Sequence, residues 1–183
     1  MPDLAAAVAR GWRHHFWLAL LVAASAGFTL GFACAVPFAA FGAIAALTLS
    51  RRDALLLTLA LWAINQAIGF TVLNYPWDGL TLIWGLVLGG AALLSTAAAQ
   101  IGGRARGVIG AALASFAAAF TAYEGSLFLV SAGVLGGSED FTPAIVLSIV
   151  EINAGAFVVL LAAALLLTAV RSATDTRPMA AMR

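Results

Sequence analysis

Two acids stand inside apolar runs, and they are the residues best placed to do chemistry. Glu124 lies in Ala122-Tyr123-Glu124-Gly125-Ser126, within a run from about Val108 to Leu135. Glu151 lies in the next run, about Thr142 to Val170, with Asn153 two residues on. If the two runs cross a membrane in opposite directions, Glu124 is eleven residues from Leu135 and Glu151 nine from Thr142. At 1.5 Å per residue, both carboxylates then sit roughly 13–17 Å below one surface. An ionisable group at that depth is costly, faces protein or a wet cavity, and marks function by default.

A third run adds amides at a similar depth. Trp62, Asn65, Gln66 and Gly69 form one stripe at i, i+3, i+4 and i+7. Asn65 and Gln66 are eight and seven residues from Leu73, or roughly 12 Å down. Four polar side chains on three helices at one level predict a shared pocket, with Tyr123 beside Glu124 and with Tyr75 and Trp77 as a lid from the outer loop. The competing reading makes these groups hydrogen-bonded glue between helices, with Tyr75 and Trp77 in an interfacial aromatic belt. No basic residue lies near the pocket, so it suits a neutral or cationic ligand rather than an anion.

Catalysis has no comparable support. There is no Gly-flanked nucleophilic serine, His–Glu zinc motif or phosphate-binding glycine loop. Cys34 is the sole cysteine, which excludes an internal disulfide and a cysteine-cluster metal site. His14 and His15 are adjacent and do not share a helix face. The reading is a non-enzyme with no cofactor and no metal.

The elements that carry these residues follow from hydropathy and charge. The chain has 183 residues, 63% hydrophobic and 9% charged, with mean hydropathy +1.05. A soluble domain averages about 25% charged residues, so this is an integral membrane protein. Its net charge of +1 gives no basic patch for nucleic acid. Six spans are expected: about 14–33, 36–50, 54–73, 79–100, 107–135 and 142–170. All nine basic residues are Arg, at 10, 13, 51, 52, 104, 106, 171, 177 and 183. They fall before span 1, between spans 2 and 3, between 4 and 5, and after span 6. The other connections carry Asp78, Glu139 and Asp140. The positive-inside rule then places both termini in the cytoplasm.

The expected fold is therefore an all-α integral membrane protein, a compact bundle of six transmembrane helices in the inner (cytoplasmic) membrane. A cytoplasmic segment 1–13 precedes the bundle at 14–170, and a polar tail follows at 171–183. Residues 14–50 could instead form one long helix kinked at Pro37, but that would put Arg51 and Arg52 outside. A tight hairpin near Gly31–Pro37 is preferred, which leaves span 2 short for a core needing ~20 residues. Ala33-Cys34-Ala35 imitates a signal-peptide cleavage site, yet the apolar sequence resumes at once and retention is expected.

Small residues recur on two spans. Ala19, Ala23, Gly27 and Gly31 stand four apart on span 1; Gly85, Gly89, Ala92 and Thr96 line span 4. Such stripes let helices approach closely, within the chain or against another membrane subunit.

Length, six spans, cytoplasmic termini and an outward-facing polar cluster resemble the substrate-binding S component of energy-coupling factor (ECF-type) vitamin transporters. The first span of that family carries an AxxxA pattern that docks a transmembrane coupling subunit, and Ala19-Leu20-Leu21-Val22-Ala23 matches it. The connection around Pro37 is shorter than the first outer loop usual there. The resemblance implies a subunit binding a vitamin or metal complex, with a coupling subunit and ATPases as partners. It also implies a site near the outer face, where Glu124, Glu151, Asn153 and the 74–79 loop occupy comparable places. Alternatives are a structural or assembly subunit, or a proton- or cation-coupled transporter.

Overall fold

The computed structural model describes residues 11–32, 35–105 and 107–175. Arg10 and the rest of the N-terminal segment before Gly11, the Ala33-Cys34 pair of the cleavage-like site, Arg106, and the polar tail beyond Asp175 lie outside the described residues. Among the described residues six α-helices follow one another: α1 Trp12–Phe32, α2 Phe38–Thr48, α3 Arg51–Thr71, α4 Gly79–Gly102, α5 Val108–Val130 and α6 Pro143–Asp175. There is no strand among the described residues. Five helices are long and apolar enough to cross a membrane, so the multi-pass membrane class stands. α6 continues through Arg171 to Asp175, past the end expected at 170.

The exception is α2. Its 11 residues reach about 16 Å, half of a ~30 Å hydrocarbon core. Every residue from Phe38 to Ala45 is buried, and α2 packs against α3, α4, α5 and α6. A helix apolar all round belongs inside a bundle, and Ala39, Ala40, Gly42, Ala43 and Ala45 are small enough for neighbours to close around it. The expected second span is thus a buried half-depth helix, not a lipid-facing crossing.

Two bonds distinguish the hairpin from the long kinked helix. Trp17 Nε1 donates to Thr48 Oγ1 at 3.0 Å, bringing the start of α1 to the end of α2. Asn65 Nδ2 donates to Thr29 Oγ1 at 3.3 Å, setting the far end of α1 beside α3. The chain therefore goes out along α1, returns along α2 and goes out again along α3. Gln100 Nε2 reaches the Arg51 carbonyl at 3.2 Å, so α4 comes back to the level where α3 starts. Arg13, Arg51, Arg52 and Arg104 gather at one end, and the loops bearing Asp78, Glu139 and Asp140 lie at the other.

Local chemistry fixes the ends. Ser50 caps α3: its Oγ accepts from Asp53 N at 3.2 Å and donates to Asp53 Oδ2 at 2.7 Å. That cap starts α3 three residues before the apolar pattern begins. Asp78 caps α4 through Thr81 N at 2.8 Å, and this backbone hydrogen bond holds its carboxyl below the ordinary value. α4 and α5 form the most extensive helix pair. Their register is fixed by Ser95 Oγ to Ala119 O at 2.9 Å and Ser115 Oγ to Ala99 O at 3.0 Å.

Candidate functional site

The buried face of α5 reads Ala112, Ser115, Ala119 and Tyr123, the spacing of one helix side. Glu124 is one residue further round and half-buried at the edge of that face. It lines a cavity of about 160 Å³ together with Tyr123, Val36, Leu88, Ile149 and Asp140. Asp140 arrives from a different element. Beyond Val130, α5 widens into a single π turn over Ser131–Leu135, a form often found at functional sites. Gly136 and Gly137 then take positive φ of 81° and 89°, a turn that glycine makes without strain. The chain doubles back, and the short 3₁₀ turn Ser138–Asp140 sets Asp140 at the cavity mouth.

Non-helical chain forms another wall. Ala35 and Val36, which lead into buried α2, line the same cavity. Backbone without helix is tolerated at membrane depth where it is buried or lines a cavity. The first turn of α2 begins there, and its cap residue Pro37 offers no side-chain acceptor. Asn153 of α6 supplies one: its Oδ1 accepts from Ala40 N at 3.3 Å, while its Nδ2 donates to Ile149 O at 3.0 Å. Asn153 is 1% exposed, so it caps a neighbouring helix and does not face a ligand.

Beside this cavity, Ala35, Ile145 and Ile149 also line a second, open space of about 440 Å³ with Ser148 and Ile152. α6 makes few contacts with α5, and most of residues 142–148 are exposed. The two spaces adjoin as one cleft in the half of the bundle that carries the Glu139–Asp140 loop. Its polar lining is Glu124, Asp140, Tyr123 and Ser148, without a basic side chain. The inner cavity is below the roughly 300–1,000 Å³ that enclose a drug-sized ligand; it suits a small cationic group, and a larger solute would extend into the open part.

The structure does not bring the expected cluster into one pocket. Glu151 is exposed and lines neither part of the cleft. At 100° per residue it stands about 200° from Asn153, on the side of α6 turned away from α2. Gln66 belongs to another cavity of about 230 Å³, under the 74–78 loop with Tyr75, Thr81, Trp84 and Gly85. Leu88 lies on both cavities. Asn65 is buried against Thr29 and accepts from Gln66 Nε2 at 3.1 Å. Trp62 donates to Gly85 O at 2.7 Å, and its ring fills the notch over Gly89. Tyr75 covers Gly69 and lines the Gln66 cavity. Trp77 is 74% exposed and lies against Phe70 at 4.4 Å, outside both cavities.

The two small-residue stripes part company. On α4, Gly85, Gly89, Ala92 and Thr96 are all buried, and Thr96 Oγ1 meets Thr58 Oγ1 at 2.8 Å. On α1, Ala19, Ala23, Gly27 and Gly31 are all exposed. A Cβ built on Gly27 or Gly31 meets nothing within 4 Å. The first stripe packs this chain; the second is open.

Asp140 and the 35–36 segment were missed from sequence. In sequence Asp140 is one of the loop charges, and nothing local places it on one cavity with Glu124; for 35–36, the shortness of span 2 and Pro37 are the available signal. No family model, curated protein or solved structure matches the chain.

Proposed function

We propose that this membrane protein is the solute-binding subunit of a transport system, taking a small neutral or cationic molecule into the outer cleft at Glu124 and Asp140. The observation that carries this reading is the convergence of two carboxylates, from α5 and from the α5–α6 turn, on one cavity without a basic lining residue. The half-depth α2, with irregular chain at the cavity, supports it: interrupted helices at mid-membrane are how transporters build substrate sites. The arginine distribution orients the protein in the inner membrane with both termini cytoplasmic and the cleft facing out. Single cysteines at Glu139 or Trp77 should then react with an impermeant thiol reagent on intact cells, in a Cys34→Ser background. One at Arg104 should react only after permeabilisation. Labelling of position 104 in intact cells would put the cleft on the cytoplasmic side.

The resemblance to ECF-type S components extends this proposal to a coupling subunit docked on α1 and driven by ATPases. The Ala19–Ala23–Gly27–Gly31 face supports it, because all four positions are exposed and a Cβ at Gly27 or Gly31 meets nothing within 4 Å among the described residues. Ala23→Leu and Gly27→Leu should abolish transport while leaving thermal stability and solute binding by the purified subunit unchanged. Transport at the normal rate in both variants would remove α1 as the docking face. The solute itself is sought by mass spectrometry of small molecules retained by the detergent-extracted protein, with Glu124→Gln as the comparison. Asn65, Asn153, Thr58 and Thr96, all engaged between helices, favour a second reading in which the polar residues only hold the bundle. An empty protein, with transport indifferent to Glu124, would favour it.

A further inference from the structure

Apart from the acid-lined cleft, a groove of about 830 Å³ runs along the α4–α5 seam and ends among arginines. Leu94 and Ala98 of α4 and Gly125 of α5 line its length; Arg51 and Arg104 stand at its end. The Ser95–Ala119 bond marks the middle of the seam, and Arg104 lies nine residues beyond Ser95, or about 13 Å. Apolar walls of membrane-facing helices thus lead to two guanidinium groups near the bundle's end.

Two features of that end call for an anion, and a third for a hydrogen-bond donor beside it. Arg51 is the first residue of α3, where the helix dipole favours negative charge and opposes a cation. Arg104, from a different connection, brings a second positive charge to the same groove. The nearest acid in sequence, Asp53, is committed to Ser50 within the α3 cap and is not part of the lining. The third feature is Gln100, which also lines the groove. Its Nε2 donates to the Arg51 carbonyl, while its buried Oε1 has no partner among the described residues. A buried acceptor without a donor asks for a ligand hydroxyl or amine. Basic pockets between transmembrane helices on this side take anionic lipid head groups.

We propose that this groove holds an anionic glycerophospholipid with a hydroxyl-bearing head group, phosphatidylglycerol in chemistry. The phosphate lies between Arg51 and Arg104, a head-group hydroxyl donates to Gln100 Oε1, and an acyl chain follows the Leu94–Ala98–Gly125 seam. The site is separate from the outer cleft and does not depend on what that cleft binds.

The test uses the full chain in mild detergent, incubated with equal amounts of phosphatidylglycerol and phosphatidylcholine and read by native mass spectrometry. Wild type should retain phosphatidylglycerol over phosphatidylcholine by about tenfold, since each arginine near the surface favours an anionic lipid severalfold. The double variant Arg51→Gln/Arg104→Gln should lose the preference. Arg52→Gln, an exposed neighbour outside the groove, should keep it. Ala98→Phe fills the acyl seat without touching the charges and should also lower retention, which covers the case in which the double variant does not fold. Equal retention of both lipids by wild type, or undiminished retention of phosphatidylglycerol by Ala98→Phe, overturns the proposal. So does stabilisation by inorganic phosphate equal to that by the lipid, because the site would then hold an anion and no chain.

Discussion

Gly102→Ala should destabilise the protein by about 2 kcal/mol, and Gly102→Val by more. A Cβ at Gly102 would stand 2.7 Å from Ser115 N and closer still to the carbonyl of Ala114. Both are backbone of α5, so no side-chain rotation relieves the clash, and the α4–α5 hairpin must open. Overpacking of this kind costs about 1–3 kcal/mol. Opening the seam also stretches the Ser115–Ala99 and Ser95–Ala119 bonds, at about 0.6 kcal/mol each for hydrogen bonds in a bilayer. The gain in helix propensity on leaving glycine, about 0.5–1 kcal/mol, offsets part of this. Gly85 is the instructive contrast. A Cβ there meets the Oε1 end of the Gln66 side chain, which can swing aside, so Gly85→Ala should cost less. Gly90 and Gly110 meet nothing within 4 Å, and alanine there should be neutral or slightly stabilising. Thermal unfolding of the purified variants in one detergent would order them. If Gly102→Ala melted with Gly90→Ala, the close α4–α5 approach would be wrong, and with it the lipid groove along that seam.

Much of the architecture is legible in the sequence because its causes are local. Five helices follow from hydropathy, and their ends from nearby groups such as Ser50 before α3, Asp78 before α4 and Gly136–Gly137 after α5. The gathering of arginines at one end was legible for the same reason: each connection carries its own charges. The candidate site was legible only in depth. Counting residues from a helix end gives height, and it set Glu124, Glu151, Asn65 and Gln66 near one level. Height does not give direction. Glu151 and Asn153 are two residues apart and point to opposite sides of α6, so only Asn153 enters the bundle. What turns Asn153 inward is the uncapped start of α2, 113 residues earlier at Ala40, and no local pattern announces such a pairing. α2 shows the same limit from the other side. Its small apolar residues allow burial, but that it stops at half depth depends on four helices closing around it.

That distinction between height and direction separates the acids in function. Glu124→Gln should weaken solute binding by about 1–3 kcal/mol, roughly 5- to 150-fold in Kd, the range for losing a charged hydrogen bond. The amide keeps the shape of the side chain and removes its charge, so thermal stability should change little. Asp140→Asn should weaken binding less, because Asp140 is exposed at the mouth, where water screens its attraction for a cation. Glu151→Gln should leave Kd unchanged, since Glu151 is exposed and lines neither part of the cleft. Asn153→Ala should act the other way. It removes the acceptor for Ala40 N, leaving a buried donor unsatisfied at about 1–3 kcal/mol, and so lowers stability. Solute binding by the folded fraction should persist. These four variants, measured for Kd by calorimetry and for unfolding in the same detergent, resolve binding from bundle integrity. A solute that loses affinity with Glu151→Gln and not with Glu124→Gln would move the site to the outer face of α6. If all four variants lost stability in proportion to affinity, the acids would be part of the framework and the cleft would not be a binding site.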